Sequence, residues 1–371
     1  MLTTTLGLLA LMLPAPEDTS GELRSSWLFN GCGQPIVVEA VGVAPESAEL
    51  SLVLLGAHGE EIAPPRAMKT PRVDLTEFMP EVSALRRTAY LQLRSGEQAI
   101  GSALVLQPML SRQIPQTEEA LAPSGMTYTK ITGWYDELHP PRRPELAPGS
   151  TPPEATADGA PMQAEPATVE PLCTGLRIYP ERDVMLVTTL GEIRIALRPD
   201  EAPNTAWNFR ALAEGGFYRG VAFHRIVPLD RRGLPFVIQA GDPTGTGDGG
   251  PGYWLPIEPS RLPHALGVIS MARDIDPDSG GSQFFFGLSR AGTARLDGSY
   301  CAFGVAIEGI ETIRRIAAVK LADVEAGRPE TPPVITEARL VPSAPRREGE
   351  ARGVPQLEDG PAPGDATNVP R

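Results

Sequence analysis

The chain has 371 residues, of which 41% are hydrophobic and 21% charged, and a formal net charge of −13. Such acidity argues against a nucleic-acid partner, and the length suits two domains of ordinary size, roughly 100–200 residues each. The charge is uneven: residues 1–176 carry 11 basic and 21 acidic side chains, residues 177–343 carry 18 and 20, so the second part is nearly neutral, as suits a binder of uncharged polypeptide.

Residues 1–20 hold an apolar run, Leu6 to Leu13, too short to span a bilayer. It reads as the core of a secretory signal, although no Lys or Arg precedes it. The expectation is export to the periplasm or cell envelope. The alternative is a cytoplasmic chain whose start is an apolar strand. No other segment reads as a membrane span. The excess of Arg over Lys, with abundant Ala, Gly and Pro, fits a GC-rich bacterial genome.

Residues 21–115 alternate with period 2. Leu50, Leu52 and Leu54 form one such row, Ala89, Leu91 and Leu93 another, and Ser95-Gly96 turns the chain into Ile100 to Leu106. A small immunoglobulin-like sandwich is expected, with a short helix at 75–85 interrupted by Pro80. Residues 116–176 are rich in proline and read as a linker, with a strand at 126–135. Residues 344–371 read as a disordered tail.

Residues 177–343 alternate strands with two helices. Leu190-Gly191 signals a hairpin. Pro203-Asn204-Thr205 opens a helix that Gly215-Gly216 ends, and a second helix lies near 310–318 with Glu311 and Arg315 spaced to pair. Of the three cysteines, Cys301 lies in an apolar run and reads as a buried small hydrophobe. Cys32 and Cys173 would pair only in an exported chain. None has CxxC spacing.

The most informative residues are Phe223-His224-Arg225-Ile226-Val227-Pro228 and Phe236-Val237-Ile238-Gln239-Ala240-Gly241-Asp242. They put a permanently charged planar donor and an amide beside an apolar floor, which suits a neutral substrate with a polarisable amide. Ser270-Met271-Ala272, Gly281-Ser282-Gln283-Phe284-Phe285 and Leu296-Asp297-Gly298 follow in order. Together these segments resemble the cyclophilins, a family of peptidyl-prolyl cis-trans isomerases, over about residues 180–341.

The resemblance implies a mainly β fold for 177–343: an eight-stranded antiparallel barrel capped by two helices. Periodicity alone indicates only a β-rich unit with two helices. It implies that Arg225 is the catalytic donor, that Gln239 hydrogen-bonds the substrate backbone, and that Phe236, Val237, Phe285 and Leu296 form the proline pocket. Ala272 and Arg273 match groove-lining positions, the latter through its backbone. Tyr300 stands where many eukaryotic members have histidine, and its hydroxyl can replace that donor. Val237 replaces a common methionine. Arg295 replaces a tryptophan that many eukaryotic members use to bind cyclosporin. Extra residues fall within 229–235, beside the groove.

The reaction needs no cofactor or metal, and none is expected. The Gly-rich stretch 244–252 lacks the Lys of a phosphate loop. Asp274, Asp276 and Asp278 have the spacing of a calcium loop without its glycine and terminal glutamate. His224 is expected to be a satisfied structural histidine, and Ser270 and His264 lack the sequence setting of a hydrolase. The expected partners are proline-containing polypeptides, and the N-terminal unit is a candidate to recruit a protein client. The rival reading is a non-catalytic module that binds proline segments as a chaperone or adaptor.

Overall fold

In the computed structural model, residues 21–43, 49–111, 114–121, 127–135 and 172–357 are described. The expectations for 1–20, for 136–171 and for the end of the tail lie outside them. Period-2 alternation builds two facing sheets in the first unit. One has three strands, Glu22–Ser25, Val37–Val41 and Arg72–Asp74. The other has six, in the order Phe29–Gly31, Leu172–Pro180, Gln98–Ser111, Ala89–Ser95, Leu50–Leu55 and Glu61–Ala67. Leu23 and Val38 from the first sheet meet Leu52, Leu54, Leu91 and Leu104 from the second in one core. Asp74 caps the short helix Leu75–Phe78 through the Thr76 N–H, and Pro80 starts a separate 3₁₀ turn, as its ring requires.

The first unit is not contained in 21–115. Strand Leu172–Pro180 returns from beyond the Pro-rich stretch to pair with Gln98–Ser111 and with Phe29–Gly31. Thr127–Tyr135 is a strand, paired with Ile114–Leu121 in a hairpin of its own. The Cys32 thiol donates to the Cys173 carbonyl at 3.0 Å, and both thiols are free.

The second unit is an eight-stranded antiparallel sheet in the order 225–229, 235–240, 284–287, 268–271, 302–308, 191–197, 182–188 and 335–342. Its seam is joined by backbone hydrogen bonds between the segments entering the two end strands: Gly220 N–H to Ile335 O, Phe223 N–H to Pro333 O, and Ile335 N–H to Val221 O. The core holds Phe209 and Ala213 from helix Pro203–Glu214, and Ile313 and Ile316 from helix Ile310–Ala317. At the start of the first helix, Glu258 accepts from the N–H groups of Asn204 and Thr205, filling the role its own N-cap alanine cannot. On the second, Glu311 pairs with Arg314, whereas Arg315 donates to Thr312.

The expected disorder of the tail is corrected over 344–357, which is ordered and packs into the joint between the units. Arg346 is buried, its guanidinium held by Glu181 at 2.9 Å and laid over the Tyr90 ring at 3.2 Å. Its own N–H meets Gln92. Arg352 bridges Glu181 and Asp183. Tyr90 bonds Asp200, Thr88 bonds the Pro199 carbonyl, and the Trp207 ring packs at a tilt against Tyr179 and lies under the guanidinium of Arg177. The units are thus joined by a polar interface as well as by chain.

Candidate functional site

Four neighbouring strands of the barrel carry both the core and the site, on opposite faces. Ile226, Ile238, Phe284, Phe286 and Ile269 point into the core. The residues between them point the other way, because successive side chains of a strand alternate. In register across the sheet, Arg225 lies opposite Gln239, Gln239 opposite Phe285, and Phe285 opposite Ser270. Two residues along, Val227 lies opposite Val237. The ordered sequence segments therefore become one row on the face of the sheet turned away from the core.

In that row the Arg225 side chain is exposed and its Nη1 donates to Gln239 Oε1 at 3.2 Å. This fixes the amide's orientation, so that Gln239 Nε2 donates to Gln283 Oε1 at 2.9 Å. Gln283 in turn donates to the carbonyls of Gly247 and Gly249. Gln283 belongs to an ordered motif that suggests no role for it; only the fold reveals it as the link between Gln239 and the Gly-rich loop.

Beside the row lies an apolar patch. Val237, Phe285 and Leu296 form its buried floor, with Val227, Phe236, Ala272 and Tyr300 packed around them. Phe285 and Tyr300 meet edge-on, with centroids 5.6 Å apart. Arg273 lies with its guanidinium 4.7 Å from the centre of the Tyr300 ring and lines the adjoining groove. That groove continues past Gln239 along Gly247–Trp254, where Trp254 is exposed. All nine site residues expected from the sequence therefore come together.

Asp242 organises the Gly-rich loop. It accepts from the Thr244 hydroxyl and from the N–H groups of Thr244 and Gly247. Burial alone would raise its carboxyl, yet these bonds bring the pKa down to about 2. The turn needs glycine at 241, where φ is +97° and a Cβ would lie 2.2 Å from the Ser282 carbonyl oxygen.

Behind Phe285 the fold assembles a group that the sequence did not suggest. His264 Nδ1 lies 2.9 Å from Asp297 Oδ1, and His264 Nε2 lies 2.9 Å from Ser270 Oγ. Burial lowers the histidine pKa, so the ring is neutral. The proton then sits on Nδ1 facing the carboxylate, and Ser270 donates to Nε2. Ser270 has 0% exposure, so this Ser-His-Asp chain offers no nucleophile to a substrate. It supports the pocket floor instead: the His264 ring stacks on Phe285 at 5.9 Å.

His224 departs from expectation, since neither ring nitrogen has a hydrogen-bond partner among the described residues. Burial lowers its pKa and keeps it neutral. The carboxylates of the calcium-like loop are taken up by backbone: Asp274 accepts from Ile275 N–H and Asp276 from Asp278 N–H within the loop, and Asp278 accepts from Ile257 N–H of a neighbouring segment.

This outer row and pocket on an eight-stranded antiparallel barrel define a cyclophilin-type domain. The family described as cyclophilin type peptidyl-prolyl cis-trans isomerase/CLD matches residues 184–340. The chain is 41% identical to peptidyl-prolyl cis-trans isomerase-like 1 of Rhizopus delemar over 143 residues, covering 37% of this chain and 81% of that protein. It is 39% identical to a peptidyl-prolyl cis-trans isomerase of Synechococcus elongatus over 139 residues, covering 38% and 89%. A solved cyclophilin type peptidyl-prolyl cis-trans isomerase of Cryptosporidium parvum aligns at a TM-score of 0.39 and 30% identity, covering 44% of this chain and 99% of that one. The chain belongs to the cyclophilin-type peptidyl-prolyl cis-trans isomerase family through its second unit.

Proposed function

We propose that the barrel turns X-Pro bonds of polypeptide substrates by holding the proline ring over Val237, Phe285 and Leu296 while Arg225 stabilises the twisted amide. Amide resonance sets the rotational barrier at about 18–20 kcal/mol. Rotation breaks that resonance and returns the lone pair to a pyramidal nitrogen. A cation aimed at that nitrogen favours the twisted state over the planar one, and this lowers the barrier. No bond is made or cleaved, so no nucleophile or general base enters.

The observation that carries this reading is the single row of Arg225, Gln239 and Phe285 beside the apolar pocket. Arginine suits the task because it stays charged and its fork is rigid. Gln239 accepts from it and so limits its rotamers, which lowers the cost of ordering the side chain when substrate binds. Gln239 also stands at the edge of the groove, where it can meet the backbone of the bound segment.

The test uses the full chain and a short X-Pro peptide, with cis-trans exchange followed by NMR. Equal acceleration in the presence and absence of a chelator is expected. Exchange that stays at the uncatalysed rate, or that requires added metal, would overturn the proposal.

A further inference from the structure

We propose that Asp230 and Arg295 turn one rim of the groove into a cationic subsite that favours polypeptides with a carboxylate beside the proline. The inference rests on the isomerase reading and deepens it.

The inserted segment 229–235 is not a loose loop. Asp230 stands in it with a side chain only 5% exposed. Its carboxylate accepts from Arg295 Nη1 at 2.7 Å, Arg232 Nε at 3.0 Å, and the N–H groups of Arg232 and Leu234 at 2.8 and 3.1 Å. Those bonds outweigh what burial would do and hold the carboxyl far below its ordinary range. Asp230 is therefore a fixed anion whose capacity is used up inside the protein.

Arg295 is what it fixes. The guanidinium lies 4.2 Å from the centre of the Phe236 ring, at the pocket's edge, and its Nη1 also donates to the Gly292 carbonyl. Nη1 is thus occupied, while Nε and Nη2 have no partner among the described residues, and the side chain is 45% exposed. A guanidinium stacked on an aromatic face with donors left over is pre-ordered for an anion. Arg232 shares the same carboxylate and is 54% exposed. Two cations against one anion leave this rim net positive.

The groove past Gln239 is lined differently. There Arg273 is accompanied by Asp248 and Asp274 on the same lining. The field is thus one-sided. A carboxylate on only one flank of the proline would meet Arg295, and the same group on the other flank would meet Asp248 and Asp274.

The experiment compares matched peptides carrying Glu or Gln, placed before or after the X-Pro unit, by kcat/KM and by NMR-titrated Kd. Wild type is expected to favour Glu over Gln by about two- to fivefold at one flank only, the range a partly exposed ion pair supports. The preference should shrink as salt rises, and Arg295→Gln should bring the ratio to about one. Equal ratios at both flanks, or a preference that survives unchanged in Arg295→Gln, would overturn the proposal. Because Kd is read separately, the comparison decides the point even if turnover is absent. Turnover of the Gln peptides tests the isomerase reading by itself.

Discussion

The arginines of the groove and those of the joint between the units differ in what surrounds them. Arg225, Arg232 and Arg295 face solvent, and part of their hydrogen-bonding capacity remains open. Arg346 and Arg198 have side chains only 2% and 5% exposed, and each is matched to carboxylates: Glu181 for the first, Asp200 and Glu201 for the second. Burial decides the role. A guanidinium taken fully out of water must spend its donors on neighbours to repay desolvation, whereas one left at a rim can offer them to a ligand. The same side chain therefore acts as a rivet in one place and as a recognition element in another.

The largest effect expected from breaking this contrast is at the joint. Arg346→Ala would leave Glu181 buried with Arg352 as its one remaining cation among the described residues. A loss of about 3–5 kcal/mol is expected for a buried pair deprived of one partner. Urea unfolding of the two proteins measures it, and isomerisation per folded molecule should stay unchanged, because the groove shares no residue with the joint. A fragment ending at 343 removes both Arg346 and Arg352, so it should be less stable than one ending at 357.

Acid probes the same joint more gently. Burial would raise the Asp200 carboxyl, but the hydrogen bonds and charge of Arg198 hold it below its usual value. Its contribution is therefore complete above the unfolded-state value, about pH 3.9, and is lost as pH falls through the lower folded value. Asp242, with a folded pKa of about 2, follows the same sign and acts on the Gly-rich loop. Stability should thus be flat in these two groups from neutral pH to about 5 and fall between about 4 and 2. Asp200→Asn should flatten part of that fall in acid unfolding curves.

The smallest effect concerns the groove rim. Cyclosporin is apolar, and burying the Arg295 guanidinium under it is unfavourable. Arg295→Trp should bind the inhibitor at least about tenfold more tightly, equivalent to about 1.4 kcal/mol. Calorimetry decides this, and equal affinities would refute the role given to that side chain.

Much of this could be read from the sequence where the signal is local. Ile226, Ile238, Phe284 and Phe286 alternate with Arg225, Gln239 and Phe285, so a core face and a site face are both visible in one dimension, and ordered motifs supply the pairing. What escaped is what depends on contacts between distant segments. His264 and Ser270 are near in sequence, but Asp297 lies in a separate motif, so no spacing rule links the three. Strand 172–180 returns to the first unit across a long Pro-rich stretch. Residues 344–357 look disordered by composition, yet Arg346 and Arg352 find Glu181 and Asp183 at the start of the neighbouring strand 182–188. Asp230 carried no signal beyond lying in an insertion.

The most direct test of the account is Arg225→Ala, with X-Pro exchange measured by NMR and folding checked by circular dichroism and urea unfolding. The Arg225 side chain is exposed and, among the described residues, hydrogen-bonds Gln239 alone, so the fold should be retained. The account predicts a loss of about 2–4 kcal/mol of barrier lowering, the range for removing one preorganised donor. A well-folded variant that isomerises the peptide as fast as wild type would contradict it.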